Sequence, residues 1–455
     1  MYDILKPKAV NKNLLISILF CIIFQNGFSQ ISFSTEKIIS QSSAKVHVHS
    51  GDLDGDGDED ILAGYGNLEW YENDGSGNFL NNNTISLGGK SLQSIYVTDI
   101  NGDSKLDILC ELNGGANNSE IVWFKNEGNG SFSAKNVITN QIISGHCVFA
   151  ADLDGDGDQD VMSASVIDDK IAWYENNGNG NFGSQKIISS TTDGASTVYA
   201  SDLDGDGYLD IIAGGAWDGK LSWYKNMDGK GTFSSEKEIT SVNQLQFAYT
   251  ADLDGDGDQD IYFAALGGTV AWVKNDGDGN FGLLNIIGYE SKATDVLAQD
   301  FDNDGDLDIV STSDNGNLSW FQNNGFGEFG EHIIISNTNN RSVYSADING
   351  DGKFDILTAS FYGNKVSWYE NLGFLGIHEP NSLSLSVYPN PTEDFINIIS
   401  NEKIKNVEIF NSIGQKVLQK NNSNRIDISN FANGIYYLRM IGVDGNVGNK
   451  KIIKK

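Results

Sequence analysis

The sequence of 455 residues predicts an all-β protein, a seven-bladed β-propeller followed by a small C-terminal β-sandwich. Three observations carry this prediction. An acidic nonapeptide recurs seven times at spacings of 47 to 53 residues, a tryptophan follows each copy after 18 to 24 residues, and short β-prone runs lie between turns rich in Gly and Asn. Four short strands in a repeat of this length are typical of one propeller blade, and no segment shows a sustained helical period.

The N-terminal segment, residues 1–29, is interpreted as a signal peptide. Three lysines precede an apolar run from Leu14 to Phe24, and Gly27 and Ser29 supply the small residues that cleavage before Gln30 requires. The run is too short for a transmembrane helix, and no other stretch of the sequence is long enough. We therefore expect an exported chain without a transmembrane span.

The predicted propeller covers residues 30–375. In each repeat one strand precedes the acidic nonapeptide, a second follows it, a third contains the tryptophan, and a fourth follows a glycine-rich turn. The chain begins with Phe33–Ile39, which resembles a fourth strand, whereas the last repeat stops after Asn371 without one. We expect this N-terminal strand to complete the last blade, because the pairing removes an exposed strand edge.

The seven acidic nonapeptides, named loops 1 to 7 in chain order, are predicted to bind Ca²⁺. Oxygen ligands at positions 1, 3, 5 and 9 and a tight turn at position 6 suit a hard cation, whereas Zn²⁺ prefers His or Cys ligands. The predicted ligands are Asp52, Asp54, Asp56 and Asp60; Asp99, Asn101, Asp103 and Asp107; Asp152, Asp154, Asp156 and Asp160; Asp202, Asp204, Asp206 and Asp210; Asp252, Asp254, Asp256 and Asp260; Asp300, Asp302, Asp304 and Asp308; and Asp347, Asn349, Asp351 and Asp355. We expect up to seven structural Ca²⁺ ions.

The loops differ in predicted strength. Loop 2 has Asn101 at position 3 and Ser104 in place of the glycine at position 6, so we expect it to bind most weakly. Loop 7 has Asn349 at position 3, which removes a charge but keeps an oxygen. The alternative is that these are solvated acidic turns, since Asp and Gly favour turns. Like charges this close repel without a counter-ion, which favours cation binding.

The charge distribution follows the same pattern. Residues 30–380 carry 55 acidic and 17 basic side chains, and the seven loops alone hold 31 of the 62 acids in the chain. A field of this sign repels phosphate backbones, so nucleic acid is excluded as a partner. The apolar and aromatic content is too high for a disordered acidic tail.

The loops resemble a known family. The pattern Asp-x-Asp-x-Asp-Gly-x-x-Asp at a period near 49 residues is similar to the FG-GAP and VCBS repeats of integrin α-chain propellers and of many secreted bacterial proteins. The resemblance implies a ring whose acidic loops hold Ca²⁺ and whose other loops bind a ligand. It does not identify that ligand, because relatives include adhesins, lectins and ring domains attached to carbohydrate-active enzymes.

A second domain is predicted at residues 383–455, after a linker at 376–382. Short alternating runs there are typical of a small β-sandwich. The segments Val387–Pro391 and Asn433–Tyr437 and the basic terminus Lys450–Lys455 resemble the C-terminal sorting domains of type IX secretion in Bacteroidetes. The resemblance implies contact with the outer-membrane type IX secretion machinery and a product that is secreted or attached to the cell surface. A structural cap for the ring is the alternative.

Nothing in the sequence predicts an active site. His47 and His49 would share one face of an inner strand, where a structural role is commoner than catalysis, and nucleophile motifs are absent. After cleavage only Cys110 and Cys147 remain; they can pair, but we expect two buried thiols. We therefore expect a protein that is not an enzyme.

The loops between the second and third strands carry aromatic residues outside the repeat pattern. These candidate ligand-binding residues are Tyr65, Trp217, Phe361 and Tyr362. Exposed aromatic loops bind sugars or peptides, so we expect this face to bind an unknown glycan or protein in adhesion, with incidental packing as the alternative. A polysaccharide-active, lyase-like enzyme on the same ring is the alternative function, and it needs a basic or His/Tyr constellation in the channel.

Overall fold

The computed structural model describes residues 31–374, apart from 116, 117, 129 and 315, and residues 385–455, apart from 393, 401, 402, 412–414 and 444–446. The predicted signal peptide at residues 1–29 and the predicted linker at residues 376–382 lie outside the described residues. The described chain divides into two compact units, one that spans residues 31–373 and one that begins at residue 374. In the part of the chain that is described, every regular element is a β-strand, which confirms the all-β class.

The first unit contains seven four-stranded antiparallel sheets, numbered here in chain order with their strands first to fourth. Sheet 1 consists of Lys45–Gly51, Asp60–Tyr65, Leu68–Asn73 and Phe79–Ile85; sheet 2 of Ser91–Thr98, Asp107–Asn113, Ser119–Phe124 and Asn136–Thr139; and sheet 3 of Gly145–Ala151, Asp160–Ser165, Lys170–Tyr174 and Lys186–Ser189. Sheet 4 consists of Ala195–Ser201, Asp210–Gly215, Lys220–Tyr224 and Lys237–Ser241; sheet 5 of Leu245–Ala251, Asp260–Ala265, Thr269–Asn275 and Phe281–Tyr289; and sheet 6 of Ala293–Gln299, Asp308–Ser313, Leu318–Phe321 and Ile333–Ser336.

Sheet 7 takes its fourth strand from the other end of the unit. Its strands are Ser342–Ala346, Asp355–Ser360, Lys365–Tyr369 and Lys37–Ser40. Lys37 pairs with Trp368 in antiparallel register, so the N-terminal segment completes the last sheet, as predicted. Ile31–Phe33 also pairs with Asn371–Phe374, and a second small hairpin joins Asn126–Gly128 to Ser131–Phe132.

Neighbouring sheets pack face to face. The first strand of each sheet contacts the first strand of the next, and the first strand of sheet 7 contacts that of sheet 1. The second strands are buried along almost their whole length, which explains why runs such as Asp210-Ile211-Ile212 lack polar alternation. Each acidic loop joins a first strand to a second strand, and its ninth residue is the first residue of that second strand.

The repeat tryptophans lie between sheets. All seven are 1 to 7% exposed. In six sheets a turn glycine lies so close to the tryptophan of the preceding sheet that an added Cβ would lie 2.0 to 2.6 Å from the indole; these glycines are Gly77, Gly130, Gly180, Gly231, Gly279 and Gly327. In the remaining case Phe33 meets Trp320 edge to face at 6.4 Å. The glycine-rich turn is therefore required by the indole that it covers.

The second unit contains two sheets. Leu385–Tyr388, Phe395–Ser400 and Arg425–Asp427 form one, and Lys416–Asn421, Ile404–Asn411, Gly434–Gly442 and Val447–Lys454 form the other. One hydrophobic cluster joins Ile396 and Ile426 of the first sheet to Val407, Leu438 and Ile452 of the second. The sequence runs predict five of these strands and miss the ones at Arg425–Asp427 and Val447–Lys454, because charged residues interrupt their pattern.

Both cysteines of the first unit are free and buried. Burial raises the pKa of the Cys147 thiol to about 11 and raises that of Cys110 further. Among the described residues, no helix has the length and hydropathy that crossing a bilayer demands.

Candidate metal centres

Each acidic loop is folded by its own first carboxylate. In loop 1, Asp52 accepts hydrogen bonds from the backbone N–H groups of Gly55 at 2.7 Å and Gly57 at 3.1 Å, and both glycines have positive φ. Two loops lack one of these glycines and keep the same backbone geometry. Ser104 at position 6 of loop 2 has φ 66°, and Asn303 at position 4 of loop 6 has φ 59°. The turn therefore needs left-handed backbone at positions 4 and 6 in every loop.

The carboxylate at position 9 is the buried anchor of each loop. All seven side chains are fully buried, and each accepts a hydrogen bond of 2.7 to 2.9 Å from the backbone N–H of the asparagine three residues after the repeat tryptophan. In six loops its other oxygen accepts the N–H of position 2 at 3.1 to 3.4 Å. The side chain at position 2 is apolar in every loop and lies beneath the loop, at most 2% exposed.

The same asparagine connects each loop to the preceding one. Its side-chain amide donates to the carbonyl of position 8 in its own loop and to the carbonyl of position 2 in the loop of the preceding sheet, the latter at 2.7 to 2.9 Å. Asn73 of sheet 1 donates to Ile348 of loop 7, so the same hydrogen bond also connects the first loop to the last. We name this pair of bonds the asparagine latch. The sequence shows the recurring asparagine but not its acceptors.

The predicted ligands converge. In loops 1, 3 and 5 the carboxylates of positions 1, 3 and 9 bring one oxygen each within 4.8 Å of one another, and in loops 4 and 6 those of positions 1, 3 and 5 do so. Loops 2 and 7 carry Asn101 and Asn349 at position 3. Asn101 donates its amide to Asp107 at 2.8 Å, which directs a donor rather than an acceptor toward the loop centre.

Several ligand oxygens are buried without a hydrogen-bond partner among the described residues. They are Oδ1 of Asp154, Asp204 and Asp254 at position 3 and Oδ2 of Asp308 at position 9. Buried carboxylate oxygens without a donor are costly, and a cation is the group that satisfies them. An all-oxygen donor set of this number matches Ca²⁺, which would neutralise the carboxylates and tie positions 1 to 9 together.

Burial keeps the position-9 carboxylates out of water and raises their pKa. The pKa is raised to about 6 at Asp60 and Asp210, to about 7 at Asp160, Asp260 and Asp355, and to about 8 at Asp308. Desolvation is the largest cause in each case. Position 3 behaves similarly in loop 3, where burial, Asp156 and Glu175 raise the pKa of Asp154.

A residue from outside the nonapeptide forms an ion pair or hydrogen bond with a candidate ligand in at least five loops of the described chain. It is the second residue after the repeat tryptophan, named here the +2 residue: Glu72, Lys125, Glu175, Lys225, Lys274, Gln322 and Glu370 in sheets 1 to 7. Lys225 contacts Asp204 and lies 2.9 Å from Asp206, and Lys274 contacts Asp254 and lies 2.8 Å from Asp256. In loop 2, Lys125 lies 3.1 Å from Asp103. No signal in the nonapeptide itself indicates this contact.

The candidate ligand-binding aromatics separate into a cluster and a single residue. The rings of Tyr65 and Phe361 are 5.3 Å apart, and Phe361 and Tyr362 are also 5.3 Å apart, so sheets 1 and 7 contribute one aromatic cluster. Tyr362 is 66% exposed. Trp217 is 58% exposed and lies over Gly194 within sheet 4, without ring contact to the other three.

A cavity of about 300 Å³ is lined by residues from the first strands of all seven sheets. Its aromatic wall includes His49, Tyr96, Phe149, Tyr199, Tyr249 and Tyr344, whose successive rings lie 4.1 to 5.8 Å apart. His47 and Asp295 also line it. Burial lowers the pKa of His47 to about 3 and of His49 to about 4 and raises that of Asp295 to about 7. Sequence reasoning finds the two histidines but misses the tyrosines, which lie about 50 residues apart along the chain.

Comparisons with known proteins agree with the repeats and the C-terminal domain. A family model described as FG-GAP-like repeat matches residues 52–110, 113–163, 152–213, 202–263, 252–311 and 300–358. A model described as secretion system C-terminal sorting domain matches residues 386–455. No curated protein matches the sequence.

Two solved structures share the fold at low identity. Two structures of BBS1N in complex with ARL6DN, soaked with mercury or lead, align at 13% identity over 76 and 77% of this chain and 98% of that chain, with TM-scores of 0.54 and 0.53. A lectin of Agrocybe aegerita that recognises non-reducing terminal N-acetylglucosamine aligns at 20% identity over 70% of this chain and 86% of that chain, with a TM-score of 0.49. Since the repeat model covers more than half of the sequence, the chain belongs to the FG-GAP-like repeat family, and it carries a type IX secretion C-terminal sorting domain.

Proposed function

We propose that this protein is a calcium-binding β-propeller that type IX secretion exports to act as a non-enzymatic adhesion or ligand-binding protein. The observation that carries the proposal is the convergence of oxygen ligands in five of the loops, together with buried candidate ligand oxygens that lack a donor. Calcium in this role is structural, because the ions would bind loops that the asparagine latch connects from sheet to sheet.

We infer that the seven sheets are the blades of a closed ring. Three features support this inference. The first strands contact one another in cyclic order, the latch from Asn73 to Ile348 joins sheet 1 to sheet 7, and the first strands of all seven sheets line one cavity. The shared cluster in the second unit supports a β-sandwich for residues 385–455.

Chelation tests the metal. In EDTA we expect a lower melting temperature than in Ca²⁺, and recovery when Ca²⁺ returns, because each bound ion contributes on the order of 1 to 3 kcal/mol by mass action. Mg²⁺ at the same concentration should restore less, since it keeps its own water ligands. Identical melting with and without chelator contradicts the proposal.

The C-terminal domain is proposed to direct the chain through the outer-membrane type IX secretion machinery, leaving a product that is secreted or attached to the cell surface. A chain that lacks residues 383–455 should accumulate inside the cell envelope. A fusion of those residues to an unrelated periplasmic protein should move that protein to the surface or the medium. Failure of the fusion to move contradicts the proposal.

The ligand-binding face is proposed to be the loops between second and third strands, and its ligand a glycan or a protein. The cluster of the partly buried Tyr65 and Phe361 and the exposed Tyr362 supports this, because adjacent aromatic rings offer a stacking surface. We expect Tyr362→Ala to reduce binding on a glycan array or to surface proteins more than Trp217→Ala, which removes a single isolated ring. Unchanged binding in both variants contradicts this assignment.

One observation favours the second candidate function, a polysaccharide-active enzyme of the lyase type. The cavity brings His47, His49 and five tyrosines together, which is the constellation that such an enzyme needs. Against it, burial keeps both imidazoles neutral and weakly basic. A turnover assay on acidic polysaccharides, with Tyr199→Phe as the variant, separates the two functions.

A further inference from the structure

Loops 3 and 5 have the same nine residues. Both read Asp-Leu-Asp-Gly-Asp-Gly-Asp-Gln-Asp, at 152–160 and 252–260. Their backbones fold alike, because the first carboxylate accepts the N–H of position 4 at 2.8 Å and that of position 6 at 3.0 Å in both. Ligand set and loop geometry are therefore matched between the two sites.

The +2 residue makes them different. Sheet 5 supplies Lys274, whose ammonium contacts Asp254 and lies 2.8 Å from Asp256, between the ligands at positions 3 and 5. Sheet 3 supplies Glu175, which adds a carboxylate near Asp154 and pairs outward with Lys186 at 2.7 Å. Counting positions 1, 3, 5 and 9 and the +2 residue, loop 3 carries five negative charges, whereas loop 5 carries four negative charges and one positive charge.

Loops 2 and 4 resemble loop 5, because each has a lysine at +2 that pairs with a carboxylate of the loop. Lys225 contacts Asp204, which is 8% exposed, and lies 2.9 Å from Asp206. Lys125 lies 3.1 Å from Asp103. Loops 1 and 6 resemble loop 3 in having no lysine at +2. The +2 residue of sheet 6, Gln322, donates a hydrogen bond to Asp302 at 2.6 Å and adds no charge. In loop 7 a lysine inside the nonapeptide, Lys353, pairs with Asp351 at 2.7 Å.

We propose that a lysine held against the ligand carboxylates decides which loops take up calcium: it is the +2 residue in loops 2, 4 and 5 and Lys353 in loop 7, and its ammonium serves as the internal counter-ion in place of a tightly bound Ca²⁺. This rests on the proposed function, because it assumes that the remaining loops bind Ca²⁺. A divalent ion that enters loop 4 or 5 must displace the ammonium from two carboxylates and then remain close to its charge. Loops 1, 3 and 6 are the tight sites, and the chain binds three Ca²⁺ ions tightly rather than seven.

The experiment is a calcium titration of the full chain by calorimetry, with bound calcium counted by elemental analysis after dialysis. Wild type should show three tight sites. Lys274→Gln should add a fourth, and Lys225→Gln with Lys274→Gln should give five. The reverse change, Glu175→Lys, should remove one tight site by weakening loop 3 by about tenfold or more.

The control variant is Lys220→Gln. Lys220 lies in sheet 4 and pairs with Asp218 at 3.7 Å, away from the nonapeptide, so its loss should leave the stoichiometry at three. Circular dichroism of each variant in EDTA checks that it remains folded.

Two failures have different meanings. If wild type binds no Ca²⁺, the proposed function itself is wrong. If wild type binds seven equivalent ions, or if the lysine variants leave the number of tight sites unchanged, calcium binding stands and the role of the +2 residue is overturned.

Discussion

Loops 3 and 5 contain one nonapeptide in two environments. Both bury the carboxylate at position 9 completely, and burial raises its pKa to about 7 at Asp160 and at Asp260. They differ at position 3, where Asp254 contacts Lys274 and Asp154 faces Glu175. The same nonapeptide therefore gives both loops the same shape, while a residue at the end of the third strand sets the charge beside the candidate ligands.

The largest expected effect tests what the two loops share. The position-9 pKa values are raised above the ordinary value for Asp, so between about pH 4 and pH 8 the folded, calcium-free chain binds more protons than the unfolded chain. Its free energy of unfolding in EDTA should therefore fall as pH rises, by at least about 3 kcal/mol from pH 5 to pH 8. Saturating Ca²⁺ should flatten this dependence.

Chemical denaturation at a series of pH values, with and without Ca²⁺, measures this dependence. The salt concentration is held constant, because screening changes the repulsion between the loops. Stability in EDTA that rises over this range would contradict the inferred burial of neutral carboxyl groups.

The second prediction separates the loops. Asp160→Asn and Asp260→Asn each replace one of the two oxygens that accept backbone N–H groups by an NH2 group that cannot accept, so each should cost about 1 to 3 kcal/mol in EDTA. In Ca²⁺ the cost of Asp160→Asn should rise by about 1 to 3 kcal/mol, because a bound ion is also lost. That of Asp260→Asn should stay the same. Thermal melting of both variants measures the difference, and an equal rise would remove the distinction between the loops.

The third prediction concerns the asparagine latch, which both loops share regardless of charge. Asn176→Ala and Asn275→Ala each leave two buried carbonyl groups without a donor, so each should cost about 2 kcal/mol in Ca²⁺ and in EDTA alike. Asn177→Ala is the control, because that side chain is exposed and bonds only within its own turn. If the loss of stability in Asn176→Ala and Asn275→Ala depended on calcium, the metal rather than the amide would be holding neighbouring loops together.

The smallest expected effect concerns how much Lys274 contributes to stability in the absence of metal. Lys274 is 45% exposed, so its ion pairs with Asp254 and Asp256 contribute little. We expect Lys274→Gln to lower the free energy of unfolding in EDTA by less than about 1 kcal/mol and to raise it in Ca²⁺. A change of the same sign in both conditions would indicate that the lysine stabilises the sheet by packing rather than by charge.

Much of the fold follows from local patterns. The residue at position 2 is apolar in every loop because its side chain is buried beneath the loop. Each tryptophan recurs because its side chain fills the gap between two sheets. The pairing of Lys37–Ser40 with the third strand of sheet 7 follows from the missing strand in the last repeat. Two strands of the second unit are missed, because their apolar residues are too few to show alternation.

The site is predictable only in part. The nonapeptide predicts candidate ligands at positions 1, 3, 5 and 9, since a tight turn fixes their spacing within one stretch of chain. It does not show that Lys274 reaches Asp254, because these residues lie on different elements 20 positions apart. Nor does it show that Trp217 lies apart from the cluster of Tyr65, Phe361 and Tyr362, which depends on the places of sheets 1, 4 and 7.

The all-β class, the sevenfold repeat, the candidate ligand sets and the sorting domain could all be predicted from the sequence alone, because each pattern lies within a single repeat or a single short segment. Only the tertiary structure decided which carbonyl each latch asparagine reaches, which loops receive a lysine, and which histidines and tyrosines share a cavity. The physical reason is distance along the chain. The latch joins residues 70 to 76 positions apart, or 275 where sheet 1 meets sheet 7, and such contacts exist only after the sheets have packed.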